Sequence, residues 1–222
     1  MRKQTVLKSA ARAVGILMFC AFGPFVSTAG AGETRIAVAS NFAAAAKSIG
    51  VLFTQETGHS AIFSFGATGQ LYTQITQGAP YDVFLAADKT RPARAVEKGY
   101  AVPGSQFTYA TGRLALFSRE TSRVRDKSAL TAGDNVRIAI ANPVIAPYGA
   151  AAVSAMRSLG VYKRLHPQLV RGTNIAQAYQ FVFTGNAALG FVALSQIAGR
   201  PNGSHRSEEH TSELQSPCNL VC

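Results

Sequence analysis

Apolar and polar positions along this chain alternate between two rhythms. Residues 35–39 are mostly apolar, as in a buried strand. Apolar positions then recur at Phe42, Ala45, Ala46, Ile49, Leu52 and Phe53, the spacing of one helix face, and Gly58 ends the run. The same alternation predicts a strand over residues 60–64, then a helix over 70–77 that Gly78 and Pro80 stop. Residues 83–87 form an apolar run between Asp82 and Asp88, as in a strand covered on both faces, and a helix follows over about residues 90–98. After a loop come a strand at 113–118, a polar stretch at 120–135 that reads as loop or short helix, and a strand at 137–141. Asn142-Pro143 and Pro147-Tyr148-Gly149 bracket a turn opening a helix with Val153, Met156 and Leu159, which Gly160 ends. A short strand at 169–171 leads through Gly172-Thr173-Asn174 into a helix with Ile175, Ala178, Tyr179 and Val182 on one face. Residues 189–194 form a last strand, and Phe63, Phe65, Phe181 and Phe183 are assigned to the core.

Strand and helix alternating at this spacing mean α/β architecture with largely parallel sheets. The shift in composition after Ser118 suggests two lobes: residues 32–113, with 189–205 returning to them, and residues 114–188. Ser40 or Asn41 stands where the first strand becomes a helix, the N-cap position, and Thr68 stands at a second such junction. Tyr148 and Ile175 mark two more helix starts in the second lobe. First-turn N–H groups have no acceptor within their own helix, and the dipole there favours negative charge. Four such starts at the carboxyl ends of strands predict one anion site in a cleft between the lobes.

Composition narrows the reading. The 222 residues are 47% hydrophobic and 15% charged, which places the chain among globular proteins. A net charge of +11 invites a nucleic-acid partner. Arg2, Lys3, Lys8 and Arg12 concentrate at the start, however, the other basic residues are scattered, and no aromatic-interleaved basic run occurs, so none is expected. Residues 1–31 have the form of a secretory signal: a basic start, an apolar run from Ala13 to Val26, and Ala29-Gly30-Ala31 as a cleavage pattern, with the cut expected after Ala31. The three cysteines are Cys20, Cys218 and Cys222, so no disulfide or thiol chemistry is expected between Gly32 and His205. His59, His166, His205 and His210 lack ligand spacing, and no metal site is expected. No nucleophile–base pattern, phosphate loop or His-Glu helix motif points to an enzyme. From Arg206 the composition breaks. Residues 206–222 resemble the in-frame translation of a common sequencing adapter and are expected to be a non-native tail, with the coding sequence ending near Ser204.

Four stretches carry a resemblance: Ala37-Val38-Ala39-Ser40-Asn41-Phe42, Ser64-Phe65-Gly66-Ala67-Thr68-Gly69-Gln70-Leu71, Gly78-Ala79-Pro80-Tyr81-Asp82-Val83-Phe84-Leu85-Ala86-Ala87-Asp88 and Ala188-Leu189-Gly190-Phe191-Val192. In order and content they resemble the periplasmic molybdate-binding proteins of ABC transporters. The resemblance implies a two-lobed periplasmic-binding-protein fold, type II-like, with the ligand cleft between the lobes. It also implies a monomer in the periplasm that hands molybdate or tungstate to a membrane permease, with no cofactor and no metal beyond the molybdenum of the oxyanion. By position, Ser40 and Asn41 would offer hydroxyl and backbone donors, Thr68 a hydroxyl, and Tyr148 and Ile175 backbone N–H groups. Some members carry a tyrosine where this chain has Ala193, and the family continues past Leu194 with strand and helix that complete the first lobe. A neutral cage suits an anion without a proton. Phosphate would call for an acceptor carboxylate, and Asp82, Asp88 and Asp134 miss the helix starts. Sulfate or phosphate binding on the same fold, and the effector lobe of a regulator, are the competing readings.

Overall fold

The changes of rhythm coincide with element boundaries in the computed structural model, which describes residues 31–120, 122–124, 127–130, 136–198, 204–207 and 216–221. The expected export signal, apart from Ala31, lies outside the described residues. Strand β1 (Glu33–Ala39) passes through a 3-10 turn (Ser40–Phe42) into helix α1 (Ala43–Thr57). Gly58 closes α1 at φ 71°, a left-handed conformation that costs glycine little. Then follow β2 (Ser60–Gly66), α2 (Thr68–Thr76), β3 (Val83–Ala86), α3 (Thr90–Glu97) and β4 (Phe107–Gly112). After Arg113 come β5 (Leu114–Ser118), a 3-10 turn (Lys127–Leu130), β6 (Ile138–Ala141), α4 (Pro147–Ser158), α5 (Tyr162–Leu165) and a 3-10 turn (His166–Gln168). The chain continues with β7 (Leu169–Gly172), α6 (Ile175–Phe183), β8 (Leu189–Ala193), α7 (Leu194–Ile197), β9 (Ser204–Ser207) and β10 (Ser216–Val221).

These strands build two five-stranded sheets, in the orders β2-β1-β3-β10-β4 and β7-β6-β8-β5-β9. In the first, β1 runs parallel to both neighbours, with Ile36 opposite Phe63 on one side and Val83 on the other. In the second, β6 runs parallel to β7 and β8, while β5 is antiparallel to β8. The carboxyl ends of β1, β2, β6 and β7 each lead into a helix start, which is how the fold delivers helix N-termini to one region. The second sheet carries the larger core: every residue of β5, β6 and β8 is buried. Ala39, Ala67 and Ala87, at the ends of β1, β2 and β3, are continuous with that core, whereas among the described residues the first sheet's separate cluster comprises Ala37, Leu71, Phe84 and Ala86.

Three expectations are corrected. Residues 189–193, expected to return to the first lobe, form β8 between β6 and β5 in the second sheet, and β9 pairs with β5, whereas Ser195 beyond β8 does bond the first lobe at Asn41. A strand apolar at all five positions belongs in the interior of a sheet covered on both faces, and the second sheet offers that place. Within the expected non-native tail, residues 216–221 form β10, whose backbone lies between β3 and β4, with Leu220 opposite Leu85 and Phe107. Two strand edges needing partners can take up such a backbone whatever side chains it carries. Helix α1 buries Ala46 and Gly50, while Ile49 and Leu52 stay 54% and 55% exposed. Gly50 sets this orientation, since a Cβ there would lie 2.6 Å from the Phe63 ring and the helix rests on β2 through that gap. Phe65 and Phe183 are exposed rather than in the core, each with a cation over its ring, Lys47 and Arg119 respectively.

Candidate functional site

At the end of β1, Ala39 is extended (φ −60°, ψ 133°) and occupies the cap position of the 3-10 turn, so Ser40 is the turn's first residue and not its cap. The Ser40 hydroxyl donates to the Gly66 carbonyl at 3.0 Å, tying the end of β1 to the end of β2. A hydroxyl has one hydrogen, and Ser40 uses it there. The hydroxyl expected to be a free donor is thus engaged by Gly66 in this structure. Asn41 is buried beside it, and its carbonyl accepts from the Ser195 hydroxyl at 2.7 Å.

The second start repeats the pattern. Ala67 is the extended cap of α2 and Thr68 is its first residue, again one position beyond the expected cap. Thr68 is 1% exposed, and its hydroxyl oxygen accepts the Ala87 N–H at 3.0 Å, linking the start of α2 to the end of β3. That bond uses a lone pair and leaves the hydroxyl hydrogen to be donated.

In the second lobe, Ala146 caps α4 and Pro147 takes its first position, where the missing N–H is no loss. Tyr148, the next residue, is buried. Helix α6 has the side-chain cap that the sequence reading missed. Asn174 Oδ1 accepts the Gln177 N–H at 3.0 Å, while Gln177 Oε1 accepts the Thr173 N–H at 2.6 Å. Asn-x-x-Gln before an apolar run is a capping-box pattern, so the signal was present. With the Gln177 N–H satisfied by Asn174, Ile175 opens the helix at the cavity wall.

Ser40, Asn41, Thr68, Tyr148 and Ile175 all line one cavity, together with Ala39, Gly66, Ala67, Ala87, Ala146 and Pro147. Among the described residues, no charged side chain belongs to that lining. The space is small, about 10 Å³ measured to the centre of a water-sized sphere. Ala193, the position of the absent tyrosine, is fully buried outside this lining and donates its N–H to Gln196 Oε1 at 2.9 Å. Gln196 Nε2 in turn donates to the Ile175 carbonyl at 3.3 Å, so α7 supports the start of α6. The arrangement offers uncharged donors and helix N-termini to a small, desolvated guest, which is chemistry for a compact anion.

The family profile of bacterial extracellular solute-binding proteins matches residues 34–209. The molybdate-binding protein ModA of Rhodobacter capsulatus is 54% identical over 198 residues, spanning 89% of this chain and 77% of that protein. ModA of Azotobacter vinelandii is 49% identical over 176 residues, spanning 79% of this chain and 70% of its own length. Among solved structures, the Azotobacter vinelandii periplasmic molybdate-binding protein superposes with a TM-score of 0.81 at 35% identity, covering 85% of this chain and 84% of that one.

Proposed function

The chain belongs to the bacterial extracellular solute-binding proteins, and from that premise we propose that it captures molybdate, and tungstate with it, for an ABC importer. The observation that carries this reading is the convergence of Ser40, Asn41, Thr68, Tyr148 and Ile175, from four element starts in two lobes, on one cavity whose described lining carries no charge. In this reading the Thr68 hydroxyl and the first-turn N–H groups of the Ser40–Phe42 turn, α4 and α6 donate to the four oxygens. Hydrogen bonds to a charged group contribute about 1.5–3 kcal/mol each, so five of them reach the ~8 kcal/mol of a micromolar complex even after the cost of association. Helix dipoles add about 0.3–1 kcal/mol apiece. An anion carrying no proton is favoured, because among the described residues no carboxylate lines the cavity to accept one.

By its measure the cavity holds about one water, whereas a tetrahedral oxyanion has five heavy atoms. Entry therefore requires the lobes to part, with the crossing at Arg113, between β4 and β5, as hinge. The same reading includes export with cleavage after Ala31, on the small-residue pattern Ala29-Gly30-Ala31, and, on the resemblance to periplasmic molybdate-binding proteins, residence in the periplasm, action as a monomer, delivery to a membrane permease, and no catalysis.

Thermal melting of the purified chain with molybdate, tungstate, sulfate or phosphate tests the proposal. Ligand at a hundred times its Kd stabilises by about 2.7 kcal/mol, a rise of about 5–10 °C for a domain of this size. A rise with molybdate and tungstate alone supports the reading. A rise with sulfate as large as with molybdate reassigns the ligand, and no rise with any oxyanion withdraws it.

A further inference from the structure

One first-turn N–H of α2 does not serve the cavity. Gly69 donates across the cleft to the Ile145 carbonyl at 2.8 Å. Beside it, Arg91 of α3 donates through Nη2 to the Val144 carbonyl at 3.2 Å. Two successive carbonyls of the second lobe are thus held from the first. Arg91 is itself held by Asp88: Nη1 pairs with Oδ2, and the Arg91 backbone N–H donates to Oδ1 at 2.8 Å. The two side chains are 24% and 17% exposed, shielded enough from water for the pairing to count. The held turn is tight, since Asn142 Oδ1 accepts the Val144 N–H at 3.0 Å and the Asn142 carbonyl accepts the Ala146 N–H at 2.9 Å. It runs straight into Ala146, Pro147 and Tyr148, which line the cavity. Arg91 is absent from that lining, so its charge is not a ligand to the anion.

We propose that Asp88, Arg91 and the Gly69 N–H form a latch that holds the cleft closed over its anion and sets how slowly the anion leaves. The proposal rests on the anion-binding reading above. Gly69 is part of the device because any side chain there acts as a wedge: a Cβ would lie 2.9 Å from the Ile145 oxygen and 3.1 Å from Arg91 Nε. Arg91 is a positioning residue. It acts on the turn carrying Tyr148 and leaves the oxyanion to the neutral donors.

The test measures molybdate association and dissociation on the full chain by stopped-flow tyrosine fluorescence, which seven tyrosines and no tryptophan make usable. Arg91→Ala and Gly69→Ala are expected to raise the dissociation rate about tenfold or more, with association changed by less than about twofold. Arg91→Lys keeps the charge but replaces two separate donor nitrogens, Nη1 on Asp88 and Nη2 on Val144, by a single ammonium, so it too is expected to dissociate faster. Arg94→Ala, an exposed cation on the same helix, changes neither rate. Ligand-free melting of each variant separates loss of the latch from loss of the fold, and Arg91→Lys carries the test if Arg91→Ala does not fold. Wild-type dissociation rates in Arg91→Lys and Gly69→Ala overturn the latch while leaving molybdate binding intact. Slower association in Arg91→Ala and Arg94→Ala alike, with unchanged dissociation, overturns it in favour of general attraction of the anion. Absence of binding by the wild-type chain overturns the functional reading itself, and the latch with it.

Discussion

Replacing Thr68 by valine removes one oxygen and almost no volume, so its two consequences can be worked out separately. In the free protein the hydroxyl accepts the Ala87 N–H at 3.0 Å, in a place that is 1% exposed. Valine leaves that N–H buried without an acceptor, which costs about 1–3 kcal/mol. For a domain of this size the midpoint should fall by about 2–4 °C per kcal/mol. In the complex the hydroxyl hydrogen is the group proposed to reach the oxyanion. Losing a hydrogen bond to a charged acceptor costs a further ~1.5–3 kcal/mol, or about ten- to a hundredfold in Kd. Serine keeps the hydroxyl and loses a methyl group, so Thr68→Ser should bind within about threefold of wild type despite a stability loss of about 1 kcal/mol. Isothermal titration with molybdate and urea unfolding without it read the two effects independently. A valine variant that is less stable but binds with unchanged Kd would show that the hydroxyl only joins the start of α2 to the end of β3, and would remove Thr68 from the ligand set.

Three further outcomes follow from the same contacts. Ser40→Ala should lower stability by about 1 kcal/mol through loss of the bond to the Gly66 carbonyl, and weaken binding less than Thr68→Val does; a larger affinity loss than in Thr68→Val, seen by titration, argues that the hydroxyl turns toward the anion on binding. Gly50→Ala should destabilise the protein by about 1–3 kcal/mol in urea unfolding, because the new methyl meets the Phe63 ring at 2.6 Å, whereas Leu52→Gln on the exposed face of the same helix should stay within about 0.5 kcal/mol. Molybdate affinity should be flat between about pH 6 and pH 8 in titrations across that range, since among the described residues no carboxylate, imidazole or amine lines the cavity; a marked slope there points to a titrating group outside that lining.

The chain alone established the α/β class, most element positions, the junctions that open four helix starts, and the lack of charge at those junctions. These are short-range properties, written in apolar period, in Gly58 and Gly160 as stops, and in Pro147 as an opening residue. It placed the caps one residue late at Ser40 and Thr68, because Ala39 and Ala67 cap with their backbones alone and leave no side-chain signal. Tertiary structure decided the remainder. The apolar spacing of α1 could not show that Gly50 would press against Phe63 and turn Ile49 and Leu52 outward. Nor could the apolar run of β8 show which sheet would enclose it. The bonds from Gly69 to Ile145, from Ser195 to Asn41 and from Arg91 to Val144 join residues distant in the chain, and each ends on a backbone carbonyl. Every residue carries such a carbonyl, so nothing in the sequence marks these; only the closure of two sheets over one cavity selects them.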